Sequence, residues 1–270
     1  LWVRDVRKKR MSLFDRATSR VEDSLARNPR CRRFLAVSTI TKEKFLSEYP
    51  EDAGKVLIVP PGTDVGRFER LNREKCRQEV RRSLGLESSA LLLLFVSMNF
   101  EVKGLDYVMQ GLAQLKRAGR SRLPLLLGVG RGNEGRYRRL AEELGIGENV
   151  RFSGVTGREN LDALYLGSDL FAMLSRFDTF GMAALDAMAA SLPVVLSGNV
   201  GARDLVRDGV NGFVVENPGD AKAAAGRFER LLDAEVRLRM GREAYRTAAG
   251  QSWDEVARRQ IEIYGELPVA

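Results

Sequence analysis

The 270-residue sequence predicts an α/β fold built on a doubly wound parallel sheet of six strands. Six short apolar segments lie between residues 91 and 215, and amphipathic helical patterns separate the earlier ones. Apolar strands that alternate with helices are typical of a parallel sheet covered on both faces. Hydrophobic residues make up 44% of the chain, as in ordinary globular proteins. In such sheets, ligands bind beyond the carboxyl ends of the strands.

The first block, residues 1–59, is predicted to contain strands at 34–38 and 55–59 and helices near 13–25 and 41–49. Two strands and two helices are too few for an independent α/β core. The sequence Pro60-Pro61-Gly62 follows and marks a boundary. We therefore assign residues 1–59 to the tail of another domain and a linker.

The second block begins with a helix near residues 72–84. Strands are predicted at 91–96, 123–129, 150–153, 169–174, 193–197 and 212–215. Helices are predicted at 105–117, 136–144 and 179–190 between them, and helical patterns at 220–233, 235–249 and 252–264 close the chain. We assign residues 60–251 to one α/β domain and 252–270 to a C-terminal helix that packs back toward the first domain.

The net charge of +8 is concentrated at the N-terminus, where residues 1–33 hold eleven Lys and Arg against four Asp and Glu. The basic cluster there comprises Arg4, Arg7, Lys8, Lys9 and Arg10. Together with the apolar periodicity that follows, it fits a solvated helix face, which we favour, or a basic amphipathic helix on an anionic membrane surface. We expect no nucleic-acid partner, because aromatic residues are not interleaved with these charges and the rest of the chain is nearly neutral.

Composition excludes several functional classes. The chain has no histidine, which rules out Ser-His triads and His-ligated metal sites. The longest apolar run, residues 90–96, is far shorter than the ~20 residues of a membrane span. Cys31 and Cys76 lack metal-ligand spacing and fit a reducing compartment. There is also no Asp-x-Asp pair for a metal, so we expect a cytoplasmic protein that works without a metal or other cofactor.

The strongest candidate site surrounds Asp178 and Asp186, two acids eight positions apart at the start of a helix of small residues. We expect Thr179 to cap this helix, which leaves the N–H groups of Gly181, Met182 and Ala183 free to bind an anion, most naturally a phosphate. The Asp186 side chain leans back toward the helix start and can receive ribose hydroxyls. The alternative is a capped helix in which Asp186 is bonded locally.

A second candidate follows the strand at 91–96, where Lys103 and Gly104 stand at the start of a helix. A lysine on the carboxyl side of a parallel strand faces the ligand crevice, so Lys103 is predicted to neutralise a diphosphate. The alternative is a surface lysine paired with Glu101.

The glycine-rich residues 128–135 also follow a strand, but they do not form a dinucleotide fingerprint. Asn133 occupies the position of its third glycine, and the strand about 20 residues further on ends in Ser153-Gly154 instead of an acid. No Gly-Lys-Ser/Thr follows a strand either, so NAD and Walker-type sites are disfavoured.

Taken in order, several segments resemble the retaining GT-B glycosyltransferases of glycosyl transferase group 1, especially the lipopolysaccharide core glucosyltransferases. These segments are Val59-Pro60-Pro61-Gly62-Thr63-Asp64-Val65-Gly66-Arg67-Phe68, Asn72-Arg73-Glu74, Lys103-Gly104-Leu105-Asp106, Val150-Arg151-Phe152-Ser153-Gly154, and the two acids Asp178 and Asp186 followed by Ala189-Ala190-Ser191-Leu192-Pro193-Val194-Val195. The resemblance implies that residues 60–251 form the Rossmann-like C-terminal half of a GT-B fold and that residues 1–59 are the tail of its acceptor domain.

The resemblance also implies roles for individual residues around a nucleotide-sugar donor, with UDP-sugars the expected class. Lys103 and Arg67 would contact the diphosphate, beside Gly104 and the amides of Phe180, Gly181, Met182 and Ala183. Asp178 and Lys103 would be catalytic, and Asp186 would hold the ribose. Arg158 would lie near the base, although an exposed turn residue is an equally good interpretation.

The implied reaction transfers a hexose with retention of configuration to a lipopolysaccharide core or other lipid-linked glycan at the inner membrane face. Two departures from the family pattern keep alternatives open. Asp178 and Asp186 replace glutamates, which withdraws each carboxylate by roughly 1.5 Å. Val102 stands where many relatives carry a basic residue before the lysine, and Glu101 adds a negative charge beside the proposed diphosphate. The alternatives are a transferase for another glycan and a non-catalytic nucleotide-binding or scaffolding module. We expect the isolated chain to bind the donor but to catalyse little or no transfer.

Overall fold

The computed structural model describes residues 13–120 and 122–267. Its strands are β1 (Phe34–Ala36), β2 (Val56–Ile58), β3 (Leu92–Ser97), β4 (Leu125–Gly130), β5 (Val150–Gly154), β6 (Leu170–Met173), β7 (Val194–Ser197) and β8 (Gly212–Val215). Its α-helices are α1 (Leu13–Ala26), α2 (Thr39–Glu48), α3 (Gly66–Glu69), α4 (Arg73–Ser83), α5 (Leu105–Arg117), α6 (Glu134–Glu143), α7 (Arg158–Gly167), α8 (Met182–Ala189), α9 (Ala221–Arg230), α10 (Ala234–Ala249) and α11 (Trp253–Gly265). The predicted strands are all present, with ends that differ by one or two residues.

The six strands of the second block form one parallel sheet in the order β5-β4-β3-β6-β7-β8, which confirms the predicted doubly wound sheet. The strand order reverses between β3 and β6, which pair through Leu93 with Leu170 and Leu94 with Phe171. Ligands bind doubly wound sheets at such a switch point. The loops that follow β3 and β6 are therefore the expected walls of the site.

The sheet is covered on both faces because alternate residues of its strands point to opposite sides. Leu92 and Leu94 belong to the apolar cluster shared with α4, α7, α8 and α10. Leu93 and Phe95 belong to the cluster shared with α5, α6 and α9. All four side chains are fully buried, and each such burial contributes about 1.5–3 kcal/mol. This two-sided packing fixes where each strand ends and so where its following loop begins.

The first block pairs β1 with β2 in parallel and places α2 between them. The basic cluster at residues 4–10 lies outside the described residues, so the proposed membrane-facing segment stays a prediction. The apolar stretch after it forms α1, on which Phe14, Val21 and Leu25 are 79%, 59% and 60% exposed. Of the described helices, none is long and apolar enough to cross a membrane.

The two predicted domain boundaries lie side by side. The Gln251 side chain donates to the carbonyls of Pro60 and Pro61 at 2.9 and 3.3 Å, and Thr63 N–H donates to Gln251 O at 2.9 Å. A Cβ on Gly62 would lie 2.6 Å from the backbone nitrogen of Trp253. The close approach explains the need for glycine at position 62, and the division at residues 59 and 251 remains a prediction.

Candidate functional site

The loops after β3 and β6 meet at the carboxyl edge of the sheet and enclose a cavity of about 430 Å³. Six of the predicted site residues line it: Lys103, Asp178, Phe180, Gly181, Met182 and Ala183. Val129 and Gly130 from the glycine-rich segment after β4 and Val155 and Thr156 from the loop after β5 complete part of the wall. The switch point of the sheet therefore carries the predicted site.

Lys103 points into the cavity, where its ammonium group forms an ion pair with the Asp178 carboxylate. The two side chains are only 25% and 11% exposed. The alternative pairing with Glu101 is wrong, since Glu101 lies 3.7 Å from a guanidinium nitrogen of Arg136. The charge of Lys103 is thus neutralised by Asp178, and the contact of Lys103 with a diphosphate stays a prediction.

Gly104 is the N-cap of α5, and its conformation lets the loop after β3 lie close against the loop after β6. Its φ of +73° is in the left-handed region, and a Cβ there would lie 1.9 Å from the Leu174 carbonyl oxygen. Only glycine avoids both the strain and the clash. Gly104 therefore serves the site by placing the Lys103 backbone against the end of β6.

Arg176, which follows β6, forms hydrogen bonds to the segment that carries Lys103. The sequence analysis did not identify this role. Its N–H donates to Val102 O at 2.9 Å, and its guanidinium donates to Glu101 O at 2.6 Å and to the Asp106 carboxylate at 2.7 Å. The hydrogen bond from Arg176 to Asp106 raises the pKa of the guanidinium. An arginine two positions before Asp178, directly after a buried strand, was the available signal.

The predicted N-cap of α8 is wrong. The helix begins at Met182, and Gly181 is its N-cap with a φ of +94°. The Thr179 carbonyl instead accepts hydrogen bonds from the hydroxyls of Ser38 and Thr41 at 2.6 and 3.1 Å. These partners lie about 140 positions earlier, so no local pattern reports them.

The amides predicted to be free at the start of α8 are present, although the predicted N-cap of this helix is wrong. Ala184 N–H bonds to Gly181 O, but within the described residues the N–H groups of Gly181, Met182 and Ala183 have no acceptor. The Phe180 N–H donates to Asp178 Oδ1 at 3.3 Å, so its contact with a diphosphate stays a prediction. Three unpaired donors at a helix start make this wall of the cavity attractive to an anion.

Arg67 and Asp186 meet in a second cluster that is not part of the cavity lining. One Arg67 guanidinium nitrogen lies 3.0 Å from Asp186 Oδ2, and Thr63 Oγ1 donates to Asp186 Oδ1 at 3.0 Å. Arg67 Nε lies 3.2 Å from Asp162 Oδ1, but the two are not aligned as a hydrogen bond. Burial raises the pKa of Asp162, and the charge of Arg67 opposes that shift.

The contacts among Arg67, Asp162 and Asp186 affect the predicted roles of Asp186 and Arg67. Asp186 is bonded to Thr63 and Arg67, which lie 123 and 119 positions earlier, so the alternative of a locally bonded Asp186 is wrong, and its ribose role stays a prediction. Arg67 is held between two acids, so its contact with a diphosphate also stays a prediction. Asp162 was missed, although an acid on the otherwise apolar face of α7 was a usable signal.

Arg158 is the first residue of α7 and is exposed. It does not line the cavity, although Val155 and Thr156 of the same loop do. Burial raises the pKa of Asp162, and the charge of Arg158, like that of Arg67, opposes this rise. The proximity of Arg158 to a bound base stays a prediction.

No group of three or more potential metal ligands (His, Cys, Asp or Glu) lies together in residues 13–120 and 122–267. The lining of the cavity offers one ammonium group, one carboxylate, three backbone donors and the hydroxyl residues Ser97, Thr156 and Thr179 among apolar side chains. These groups suit an anion joined to a flat or apolar moiety.

Comparisons with known proteins place the chain in a family. Residues 77–247 match the family described as "Glycosyl transferases group 1". A "D-inositol 3-phosphate glycosyltransferase" of Actinosynnema mirum is 33% identical over 87% of this chain and 57% of its own length. The enzyme of the same name from Corynebacterium urealyticum is 33% identical over 82% of this chain and 53% of its own length.

Solved structures agree on the fold. The structure of WaaG, "a glycosyltransferase involved in lipopolysaccharide biosynthesis", has a TM-score of 0.81 at 22% identity and covers 98% of this chain and 72% of WaaG. Anabaena HepE in complex with UDP-glucose has a TM-score of 0.74 at 21% identity, over 87% of this chain and 64% of HepE. The likeness confirms the predicted GT-B fold for the described sheet.

The chain spans about half the length of the curated relatives it matches. The match to the family covers more than half of this chain and includes the sheet, the Lys103 loop and α8. The chain belongs to the group 1 glycosyl transferases.

Proposed function

We propose that this chain is the donor-binding part of a retaining glycosyltransferase that takes a hexose from a UDP-sugar. One observation carries the proposal: the Lys103 ammonium and the unpaired N–H groups of Gly181, Met182 and Ala183 face the same cavity. Their charges and dipoles complement a diphosphate. HepE, a neighbour in fold, is solved with UDP-glucose, which supports UDP as the nucleotide.

In the proposed reaction, an acceptor hydroxyl oxygen bonds to the anomeric carbon on the face from which the diphosphate departs. The bond from that carbon to the diphosphate oxygen breaks, and the hydroxyl proton passes to the departing diphosphate. Lys103 and the α8 amides stabilise the growing negative charge, each by about 3 kcal/mol in comparable sites. No side chain needs to act as a nucleophile.

Asp178 and Asp186 have subsidiary roles in this proposal. Asp178 would turn from Lys103 to the sugar when the diphosphate takes its place beside the ammonium. Asp186, held by Thr63, would receive the ribose hydroxyls, and Arg67 would reach the diphosphate once the ligand competes with Asp186.

For the acceptor, we propose a lipopolysaccharide core or other lipid-linked glycan, reached by a cytoplasmic enzyme at the inner membrane face. Support comes from the fold shared with WaaG. A second candidate is an inositol phosphate, because the relatives in sequence are named for D-inositol 3-phosphate. Transfer assays of the full-length protein with one labelled donor and both acceptors would distinguish them.

The donor site is tested by calorimetric titration with UDP, UDP-glucose and GDP-mannose. We expect UDP and UDP-glucose to bind and Lys103→Ala to weaken both by about tenfold or more, since one charge-assisted contact is lost. The melting temperature should change little. The matched control is Lys75→Ala on α4, whose side chain is 74% exposed and lies outside the cavity.

Equal affinity in the wild type and Lys103→Ala would remove Lys103 from the donor site. If the wild type bound no nucleotide at all, the chain would instead be a scaffolding module derived from the family. Preferential binding of GDP-mannose would correct the nucleotide and keep the site.

A further inference from the structure

A second concentration of charge lies at the opposite edge of the sheet from the donor cavity. A groove of about 450 Å³, here called the basal groove, is lined by segments that directly precede β6 and β7, including Asp169 and Pro193. Its titratable residues are Arg73, Glu74, Arg77, Asp169, Arg237 and Arg242. The reaction proposed above uses none of them.

The acidic groups of the basal groove are already engaged. Asp169 Oδ1 accepts from Arg77 at 2.8 Å, and its Oδ2 accepts from Arg81 and from the backbone N–H of Leu92, both at 2.8 Å. Glu74 accepts from the Gln78 side chain at 2.9 Å. The groove is lined by four arginines and two acids, a surplus of two positive charges, and Asp169 also pairs with Arg81, which does not line the groove.

The remaining arginines meet neutral partners or none. Arg73 donates to Ala190 O at 2.6 Å, and Arg237 donates to Leu231 O at 2.8 Å. These carbonyls orient the guanidinium groups without neutralising them, and each group has five N–H donors. Arg242 has no hydrogen bond or ion pair to any described residue. Burial, followed by the charge of Arg77, lowers the pKa of Arg73, and burial also lowers that of Arg237.

We propose that the basal groove binds a phosphate-bearing ligand. Guanidinium groups match phosphate oxygens through paired N–H donors, and the surplus of positive charge along the lining suits a doubly charged group. A second cavity of about 590 Å³ shares Arg237 as a wall and adds Arg122 and Glu87. The combined space accommodates a ligand larger than phosphate alone. The inference does not depend on the identity of the donor.

The test is calorimetric titration with inorganic pyrophosphate at low salt. Arg242→Glu reverses a charge on the groove without removing a contact of the fold, so it should weaken binding by about tenfold or more. Leu238→Glu is a second variant, because Leu238 is 62% exposed, lines the groove and would bring a carboxylate to its rim. The matched control is Arg239→Glu, an exposed residue of the same helix that does not line the groove.

Pyrophosphate also suits the donor cavity, so each titration is repeated in the Lys103→Ala background. The basal groove should retain its binding there and lose it when Arg242→Glu or Leu238→Glu is added. Two results together overturn the proposal. The first is that Lys103→Ala abolishes all pyrophosphate binding, and the second is that Arg242→Glu and Leu238→Glu bind anionic vesicles as strongly as the wild type.

The phosphate group can come from a soluble metabolite or from a lipid headgroup. Sedimentation with phosphatidylglycerol vesicles, with phosphatidylcholine vesicles as the uncharged reference, separates the two sources. Loss of vesicle binding in Arg242→Glu and Leu238→Glu, but not in Arg239→Glu, assigns a headgroup. Loss of pyrophosphate binding alone assigns a soluble ligand.

Discussion

At the scale of single residues, the ion pair between Lys103 and Asp178 is the main charged feature of the cavity. Asp178 is held in place at its backbone, where its N–H donates to Asn199 O at 2.9 Å and its carbonyl accepts from Gly201 at 3.0 Å. Its carboxylate pairs with the Lys103 ammonium and accepts from Phe180 N–H, so a diphosphate must compete with it.

We predict that Asp178→Asn binds UDP more tightly than the wild type. The substitution keeps the side-chain oxygen that accepts from Phe180 N–H and removes the charge that competes for Lys103. The gain should be roughly fivefold, equivalent to about 1 kcal/mol for a partly buried pair. Calorimetry would measure it, with Asp254→Asn on α11 as the exposed control. Weaker UDP binding would show that Asp178 holds the ligand instead of competing with it.

Gly104→Ala tests the approach of the two loops. The new Cβ would overlap the Leu174 carbonyl in a backbone conformation that already disfavours alanine, so the free energy of unfolding should fall by about 2–3 kcal/mol or more. The control is Gly119→Ala, which has a φ of +86° but no atom within 4 Å of the new Cβ, and it should cost only about 1–2 kcal/mol. Urea denaturation compares the two. Equal losses would mean that the Leu174 contact relaxes away.

At the scale of elements, the fold could be predicted because burial leaves a local apolar pattern in the sequence. Part of the site could not be predicted, because it depends on contacts between residues that are far apart in the sequence. The apolar runs of β3 and β4 and the one-sided pattern of α5 report local burial, so their existence and order followed from the sequence. The start of α8 did not, because Thr179 is fixed by α2 and not by its own helix. Likewise, the pairing of Arg67 with Asp186 joins positions 119 residues apart and has no local signature.

The contact between α2 and the loop before α8 couples the first block to the cavity. Ser38 is fully buried and contacts both segments. Its side chain caps α2, and its hydroxyl donates to Thr179 O at 2.6 Å in the loop before α8. On the same side, Thr39 N–H donates to Asp204 Oδ2 at 2.6 Å. A Cβ on Gly201 would lie 2.1 Å from Thr179 O, so the loop has little freedom to move elsewhere.

We therefore predict that Ser38→Ala lowers the free energy of unfolding by about 1–3 kcal/mol and weakens UDP binding several-fold. The first effect follows from unpaired buried groups, and the second from looser placement of the amides of Gly181 to Ala183. Denaturation and calorimetry measure the two effects. Ser47→Ala is the control, an exposed residue of the same helix that bonds only Lys44 O. Unchanged UDP affinity in a destabilised Ser38→Ala would limit Ser38 to a structural role.

At the scale of the whole molecule, the two edges of the sheet carry different anion-binding chemistry. The carboxyl edge offers one ammonium, matched by one carboxylate, and three backbone donors in a partly apolar cavity. The amino edge offers guanidinium groups in excess of their acids. Because the sheet separates the two edges, a ligand at one does not compete sterically with a ligand at the other. Binding at each edge can therefore be measured independently by charge reversal at the other.

The cavity also predicts how the 270-residue chain behaves by itself. Every residue that lines it lies between positions 96 and 183, so donor binding should need nothing beyond this chain. Transfer additionally needs groups that orient the acceptor hydroxyl, and the chain spans about half the length of its curated relatives. We expect calorimetry to detect UDP-glucose binding while product formation stays at the level of the Lys103→Ala control. Rapid transfer by the isolated chain would show that the acceptor is oriented within these residues, and the loops after β4 and β5 would then be the surface on which to look for it.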